Sequence, residues 1–297
     1  MPRSVMEHTD TVIVEVNPKT PWLVGDVLKV HVSEVDYIIE SDADLVEIPD
    51  IPITDIERTI AGYIADMIPN GATIQLGLGG LANAIGYFLR DKKDLGVHTE
   101  VVQKSFMDLM KLGVVNGSKK NFYPGKVLAT FCVGDKELWD FVDKNDDFLF
   151  TEVEYNNNPY IIAQNDNLIS VNNALMLDVT GQVAAESIRE KQYSGTGGQN
   201  NFVQGALQSE GGKSIIALNS TYKDSAGKLK SRIVPFLPAG TIVSTSRNDI
   251  QYVVTEYGVA NVRFKGVAQR VKELIKIAHP DFRDELTFQA KRIGWLN

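Results

Sequence analysis

The stretch ATIQLGLGG, residues 72–80, is the part of the sequence that decides the fold class. Residues 72–76 alternate apolar and polar side chains as a strand does, and residues 82–90 carry apolar side chains at helical spacing. A glycine turn, residues 77–80, joins the two. A strand, a glycine turn and a helix indicate a βα unit, and such a turn presents free backbone N–H groups that favour a negatively charged group.

Taken alone, a turn of this type is typical of a tight βα connection, because the spaced third glycine of a dinucleotide fingerprint is missing. Two further segments indicate a site. YSGTGGQ, residues 193–199, has three glycines within four residues, which implies close approach of the backbone to a ligand. HTEVV, residues 98–102, is a predicted strand that places His98 and Glu100 on one face. We expect the isolated carboxylate of Glu100 to lie beside the glycine loops.

Strand-like and helix-like segments alternate along the chain, which predicts an open α/β sheet. Residues 169–188 stay unassigned. Thr54 and Glu57 have the spacing of a capping box and begin a predicted helix. The other predicted helices are 106–112, 136–144, 267–279 and 281–292, and the predicted strands are 72–76, 98–102, 126–133, 148–153, 213–218, 232–237, 241–245 and 252–256.

The first fifty residues have a different pattern. Three strand-like runs, residues 12–16, 27–32 and 37–40, are followed by the acidic, proline-containing stretch 42–50. Acidity and proline spacing are typical of a linker. We therefore expect a domain boundary near residue 51.

Composition excludes several classes of function. The chain has 297 residues, 43% of them hydrophobic and 23% charged, as in a soluble globular protein. Its net charge of −8 and lack of a basic stripe argue against nucleic-acid binding, and no apolar run approaches a membrane span. The four histidines lack metal-ligand spacing, and the G-x-S-x-G motif of α/β-hydrolases is absent. The single Cys132 lies in an apolar run, which fits a packing role in a reducing cytoplasm.

Eight motifs occur in a fixed order that is far more specific than any one of them. They are GLGGLANAI (77–85), HTEVV (98–102), NNALMLDVTGQVAAESI (172–188), SGTGGQNNFVQGA (194–206), GGKSIIAL (211–218), SRIVPFL (231–237), TSRNDIQYVVTEYGVAN (245–261) and IAHPDFRDEL (277–286). In this order the chain resembles the acetyl-CoA hydrolase/transferase family, most closely its 4-hydroxybutyrate and butyrate:acetate CoA-transferase branch. The resemblance runs from about Thr11 to about Leu286.

The resemblance implies an α/β fold with an open, mostly parallel sheet of the CoA-transferase type, preceded by the remnant of another α/β domain. Residues 1–50 would be that remnant plus a linker, and residues 51–297 the C-terminal domain that carries the catalytic glutamate. Members of the family begin with a further α/β segment that has no counterpart before residue 12. We therefore expect a fragment, a truncated chain or one part of a split protein.

By the same resemblance, Glu100 is the nucleophile, which attacks an acyl-CoA thioester and passes through an anhydride to a glutamyl-CoA thioester. The resemblance also makes Asn172 and Glu256 the active-site asparagine and second carboxylate, although plain structural hydrogen bonding is equally open for both. The resemblance further implies that the oxyanion donors are Gly77, Leu78, Gly79, Gly80, Leu81 and Gly198. The residues that it implies for CoA contacts are Ser194, Gly195, Gly197 and Lys213. For Lys213 a solvated strand end is the alternative, and His98 is expected to be a packing or hydrogen-bonding neighbour.

The resemblance implies a CoA-transferase that exchanges CoA between a short-chain acyl-CoA and a carboxylate such as acetate, and we expect it to be cytoplasmic and homodimeric. CoA would be a substrate, with no tightly bound cofactor or metal. The acyl group could be acetyl, butyryl or 4-hydroxybutyryl. Two alternatives stay open: an acyl-CoA hydrolase that uses the same Glu100, because water exclusion depends on the cavity, and a catalytically incomplete CoA-binding subunit.

Overall fold

Helices and strands alternate in the computed structural model, which describes residues 2–48 and 52–297. In those residues the α-helices are α1 (Pro2–Glu7), α2 (Asp55–Met67), α3 (Gly80–Phe88), α4 (Lys104–Lys111), α5 (Lys136–Val142), α6 (Val153–Asn156), α7 (Pro159–Ile162), α8 (Gln199–Gln208), α9 (Val267–Lys276) and α10 (Pro280–Ile293).

The strands are short. They are β1 (Ile13–Val16), β2 (Tyr37–Glu40), β3 (Thr73–Leu76), β4 (Gly96–His98), β5 (Val101–Val102), β6 (Val127–Ala129), β7 (Phe131–Cys132), β8 (Phe148–Phe150), β9 (Leu168–Asn173), β10 (Met176–Asp178), β11 (Val183–Ala184), β12 (Ser187–Ile188), β13 (Lys191–Gln192), β14 (Lys213–Ala217), β15 (Thr221–Lys223), β16 (Leu229–Ser231), β17 (Ile233–Val234), β18 (Tyr252–Thr255) and β19 (Gly258–Asn261).

The centre of the fold is an eight-stranded sheet with the order β19-β18-β14-β9-β3-β4-β6-β8. Every neighbouring pair in it is parallel except β18 and β19, which form an antiparallel hairpin. The strand order reverses between β3 and β9, because β4, β6 and β8 extend one way from β3 and the later strands extend the other way. Ligands of open α/β sheets bind outside the carboxyl ends of the strands at such a point.

Both faces of this sheet are covered, as expected for parallel strands. Alternation along the strands separates the two cores: Ile215 and Val254 join the cluster that contains α2 and α3, whereas Ile216 and Val253 join the cluster that contains α9. Successive side chains of a strand point to opposite faces, so one strand contributes to both cores. The predicted open, mostly parallel sheet is confirmed.

The start of α2 follows from its sequence. The side chain of Thr54 accepts a hydrogen bond from the Glu57 N–H, and the Glu57 carboxylate accepts one from the Thr54 N–H. This capping box satisfies backbone donors that have no partner within the helix. Ile60 and Ile64 then lie fully buried on the face that packs against the sheet, so this helix is confirmed.

Several other predicted elements are wrong. Residues 27–32 form no strand, because His31 and Glu34 make a local capping box and the chain folds into 3₁₀ turns at Asp26–Leu28 and Val32–Glu34. Residues 241–245 lie outside the ladders apart from one bridge between Thr245 and Val183. The helices α6, α7 and α8 were not predicted, and the unassigned residues 169–188 contain β9 to β12.

Near the N-terminus, β1 and β2 pair as a parallel two-stranded sheet. Ile13, Tyr37, Ile38 and Ile39 of this pair are each more than half exposed. The predicted boundary at residue 51 lies outside the described residues, so the division into 1–50 and 51–297 stays a prediction. In the described part of the chain, no helix is long and apolar enough to cross a membrane.

Candidate active site

Glu100 lies in a break between β4 and β5 at the carboxyl edge of the sheet. Its backbone oxygen accepts hydrogen bonds from the N–H groups of Thr130 (3.0 Å) and Phe131 (3.2 Å). Thr130 lies in the corresponding break between β6 and β7, and Phe131 begins β7. The predicted continuous strand over residues 98–102 is therefore wrong, as is the strand 126–133. The alternation that placed His98 and Glu100 on one face does not apply across the break, and Glu100 is half-buried whereas His98 is fully buried.

Asn157 holds the Glu100 carboxylate. Its Nδ2 donates a hydrogen bond to Glu100 Oε2 at 2.6 Å. Asn157 is 7% exposed and lies between α6 and α7. The sequence analysis missed this residue, because the run NNNP at 156–159 is typical of a turn or a helix cap rather than of a site.

Gly198 brings the backbone against both groups. A Cβ at this position would lie 2.0 Å from Glu100 Oε2 and 2.5 Å from Asn157 Nδ2. The φ of Gly198 is −78°, which any residue adopts, so the position requires glycine for space rather than for conformation. The close approach predicted from the second glycine cluster is thus directed at Glu100.

The first glycine loop, Gly77 to Leu81, follows β3 and is tied to its neighbours on both sides. Gln103 Nε2 donates to the Gly77 oxygen (3.0 Å), and Asn173 Nδ2 donates to the Leu78 oxygen (3.0 Å). Gly79 has a φ of +104°, a conformation that favours glycine. Gln103 comes three residues after Glu100, so this bond holds the loop beside the Glu100 segment.

The side-chain hydrogen bonds of Asn172 go to Gln75 and Ser170 and not to Glu100. Its amide exchanges hydrogen bonds with the side chain of Gln75 (3.1 and 3.2 Å) and donates to Ser170 Oγ (2.9 Å). These three buried side chains link β3 to β9 within the sheet. The side-chain hydrogen bond to the Glu100 carboxylate comes from Asn157, and the orienting role predicted for Asn172 stays a prediction.

Glu256 also lies apart from Glu100. Both of its carboxylate oxygens accept hydrogen bonds from Ser220, one from the backbone N–H (2.9 Å) and one from Oγ (2.5 Å). Glu256 follows β18, which is four strand spacings from β4, or roughly 19 Å. These bonds favour the structural alternative for Glu256.

Lys213 is the first residue of β14 and therefore lies at the amino edge of the sheet, opposite to Glu100. Its Nζ donates to the Met67 oxygen at the end of α2 (2.8 Å). The structure does not bring Lys213 to the carboxylate. Ser194, Gly195 and Gly197 belong to an exposed loop that leads into Gly198, and Ser194 Oγ bonds only the neighbouring Gly195 oxygen there (3.0 Å).

Burial shifts the pKa of two other side chains, His98 and Cys132. Burial lowers the pKa of His98 to about 3, so its imidazole is neutral. Burial raises the pKa of the Cys132 thiol to about 11, which keeps it protonated and fits the predicted packing role. Among residues 2–48 and 52–297, no group of three His, Cys, Asp or Glu side chains is placed to hold a metal ion.

Comparison with solved structures gives the class of the fold. The crystal structure of a 4-hydroxybutyrate CoA-transferase from Porphyromonas gingivalis matches this chain with a TM-score of 0.83 at 38% sequence identity, covering 98% of this chain and 68% of the other. The chain therefore has the fold of the CoA-transferase type.

Comparison with family models identifies the family. The model of the acetyl-CoA hydrolase/transferase C-terminal domain matches residues 134–290, more than half of the chain. The chain belongs to the acetyl-CoA hydrolase/transferase family.

Two curated relatives align along nearly all of this chain. The 4-hydroxybutyrate coenzyme A transferase of Clostridium kluyveri is 46% identical over 287 residues, which are 96% of this chain and 66% of that protein. The butyryl-CoA:acetate CoA-transferase of Anaerostipes caccae is 43% identical, over 97% of this chain and 66% of that protein. The chain thus spans just under two thirds of the length of these relatives.

Proposed function

We propose that this chain carries the catalytic glutamate of a CoA-transferase that moves CoA between a short-chain acyl-CoA and a carboxylate such as acetate. The observation that carries the proposal is the cluster of Glu100, Asn157 and Gly198 at the carboxyl edge of the sheet. The names of the two relatives support transfer rather than hydrolysis, and they support butyryl and 4-hydroxybutyryl groups as well as acetyl.

The proposed reaction has two halves. A Glu100 oxygen attacks the thioester carbon, the C–S bond breaks, and CoA leaves as a thiolate. The product on the protein is an acyl-glutamyl anhydride. The thiolate then attacks the glutamyl carbon of the anhydride, which releases the donor carboxylate and leaves a glutamyl-CoA thioester. An acceptor carboxylate reverses both steps. No net proton transfer is needed, which is consistent with a neutral His98 beside the site.

The geometry supports this assignment. Asn157 holds Oε2 of the carboxylate, so Oε1 is the oxygen left to attack. When the glutamyl carbonyl is itself attacked, Asn157 Nδ2 is placed to donate to the oxyanion that develops on Oε2. The N-terminus of α8, which begins beside Gly198, favours the same negative charge. Each such donor contributes about 3 kcal/mol to a transition state of this kind.

The proposal also includes the setting of the reaction. CoA acts as a substrate that leaves in each turnover, not as a resident cofactor. We place the protein in the cytoplasm, which a single, partly buried cysteine supports. A homodimer is the proposed assembly, and light scattering of the purified protein would test it.

The test is a covalent adduct. The chain is incubated with butyryl-CoA without an acceptor, digested and analysed by mass spectrometry for CoA on the peptide that contains Glu100. We expect the adduct in the wild type, none in Glu100→Gln, and an undiminished adduct in Glu256→Gln, a control carboxylate that Ser220 holds elsewhere. An adduct on Glu256, or butyryl-CoA binding without any adduct, would contradict the proposal, and the second outcome would favour a CoA-binding subunit.

A further inference from the structure

A chain of buried hydrogen bonds leads away from Glu100 into the protein. It connects Asn157 to Asn156, His98 and Asn165, and the last three are 0% exposed. Buried polar groups are costly unless they are satisfied, and hydrogen bonds between them favour one arrangement of side chains. Within this chain of bonds, Asn156 Oδ1 and Asn165 Oδ1 have no hydrogen-bond partner among the described residues. The direction of each hydrogen bond in this chain follows from backbone carbonyl oxygens, which only accept.

Asn165 sets the tautomer of His98. The Asn165 side-chain nitrogen donates to the Ile162 oxygen (3.0 Å) and contacts His98 Nδ1 at 2.8 Å. A backbone oxygen only accepts, so this nitrogen is the amide NH₂ group and its second hydrogen points to Nδ1. His98 Nδ1 is therefore an acceptor, and the ring proton lies on Nε2. Nε2 donates it to the backbone oxygen of Asn156 at 2.8 Å.

Asn156 in turn sets the amide of Asn157. Asn156 Nδ2 donates to the backbone oxygen of Thr99 (2.8 Å), which identifies it as the nitrogen, and its second hydrogen bonds Asn157 Oδ1 (3.0 Å). The Asn157 oxygen is thereby directed to Asn156, and the Asn157 nitrogen faces Glu100 at 2.6 Å. With the amide turned over, an oxygen would face the carboxylate and repel it.

We propose that His98 and Asn156 are positioning residues that lock the Asn157 amide with its nitrogen toward Glu100. His98 fixes the backbone of Asn156 through Nε2, and Asn156 fixes the amide of its neighbour. The kinetic part of this inference rests on the proposed function, since it takes Glu100 as the nucleophile. The structural part, the direction of the Asn157 amide, does not.

A matched pair of variants at His98 separates positioning from simple packing. In His98→Gln the amide nitrogen reaches the place of Nε2 and can still donate to the Asn156 oxygen. In His98→Asn the shorter amide reaches only the place of Nδ1, so that donor is lost. Both variants replace a buried ring by a smaller polar side chain, and a thermal denaturation curve of each shows whether it is folded.

Side-chain nitrogen NMR gives a readout that does not depend on turnover. In the wild type we expect a neutral His98 protonated on Nε2, and an Asn157 amide proton that exchanges slowly and is shifted downfield by its bond to Glu100. His98→Gln should keep that amide signal, and His98→Asn should lose it. A wild-type His98 protonated on Nδ1 would overturn the proposal even if neither variant folds.

Kinetics complete the test. At saturating butyryl-CoA, the rate of adduct formation on Glu100 should fall about tenfold in His98→Asn, which is less than the effect of losing an oxyanion donor itself. In His98→Gln the rate should stay within about twofold of wild type. The half-saturating concentration of butyryl-CoA should change little in either variant. An unchanged rate and amide signal in folded His98→Asn would exclude the positioning role. If the amide signal responds as expected but the wild type forms no adduct, the transferase assignment fails and the positioning role stands.

Discussion

The Cα of Gly198 faces the Glu100 carboxylate so closely that a Cβ there would lie 2.0 Å from Oε2. Atoms this close cannot coexist, so any larger residue must displace the carboxylate, Asn157 or the start of α8. The relationship joins a loop near residue 198 to a strand break near residue 100. It makes the second glycine cluster part of the same site as the glutamate.

The first prediction therefore concerns Gly198→Ala. We expect adduct formation on Glu100 to fall by about two orders of magnitude, the effect of losing one oxyanion donor, because the methyl group displaces the carboxylate from Asn157. Gly266→Ala is the matched control: Gly266 precedes α9 with a φ of −66°, and a Cβ there meets no atom within 4 Å, so its rate should match the wild type. Equal rates in the two variants would remove Gly198 from the site.

The second prediction contrasts two asparagines. Asn157→Ala should slow adduct formation at least a hundredfold, because the donor to Glu100 Oε2 is lost. Asn172→Ala should leave the rate per folded molecule nearly unchanged. It should instead lower the free energy of unfolding by about 1–3 kcal/mol, since buried Gln75 and Ser170 lose their partner. The adduct rates and urea unfolding curves of both variants show which asparagine serves the reaction. A slow Asn172→Ala variant beside an Asn157→Ala variant of normal rate would restore Asn172 as the active-site residue.

The sequence was sufficient for the main architecture. Strand and helix alternation predicted the open sheet, and the capping box at Thr54 predicted the start of α2 within one residue. Helix α8 was not predicted because it is short and contains weak helix formers, namely Asn200, Asn201, Val203 and Gly205. The strands at 98–102 and 126–133 were predicted as continuous because periodicity does not register a break at one or two residues.

The site was only partly accessible from sequence. Glu100 and Gly198 were named because a carboxylate and a glycine cluster stand out, and the family motifs carry them. Asn157 gave no such signal, since it lies in an asparagine run whose local role is a turn. Asn172 looked equivalent, but its position on β9 directs its amide to Gln75. Which asparagine reaches a carboxylate depends on tertiary placement that a local pattern does not contain.

The third prediction concerns Lys213, which lies at the amino edge of the sheet. Lys213→Met should leave adduct formation on Glu100 within about twofold of wild type, and should lower the free energy of unfolding by about 1 kcal/mol, because the Met67 oxygen loses its donor. The measurements are the adduct rate at several butyryl-CoA concentrations and a urea unfolding curve. A large rise in the half-saturating concentration would place Lys213 in the CoA site after all.

The last prediction concerns stability and pH. Lys120 is 3% exposed, its Nζ donates to the Lys126 oxygen (3.0 Å), and burial lowers the pKa of its ammonium to about 7. Between about pH 7 and the ordinary lysine pKa of about 10.4, the unfolded chain thus binds more protons than the folded one at this residue. The contribution of Lys120 to stability therefore rises with pH over that range and is least favourable below pH 7. Of the titrating neighbours, His98 stays neutral throughout because of its pKa of about 3.

Lys120→Met should raise the free energy of unfolding most at pH 6, by an amount on the order of a few kcal/mol, and should flatten its increase from pH 7 to pH 9. Urea unfolding of both proteins at pH 6, 7, 8 and 9 measures the difference, and a difference that does not change with pH would show that Lys120 is charged in the folded protein.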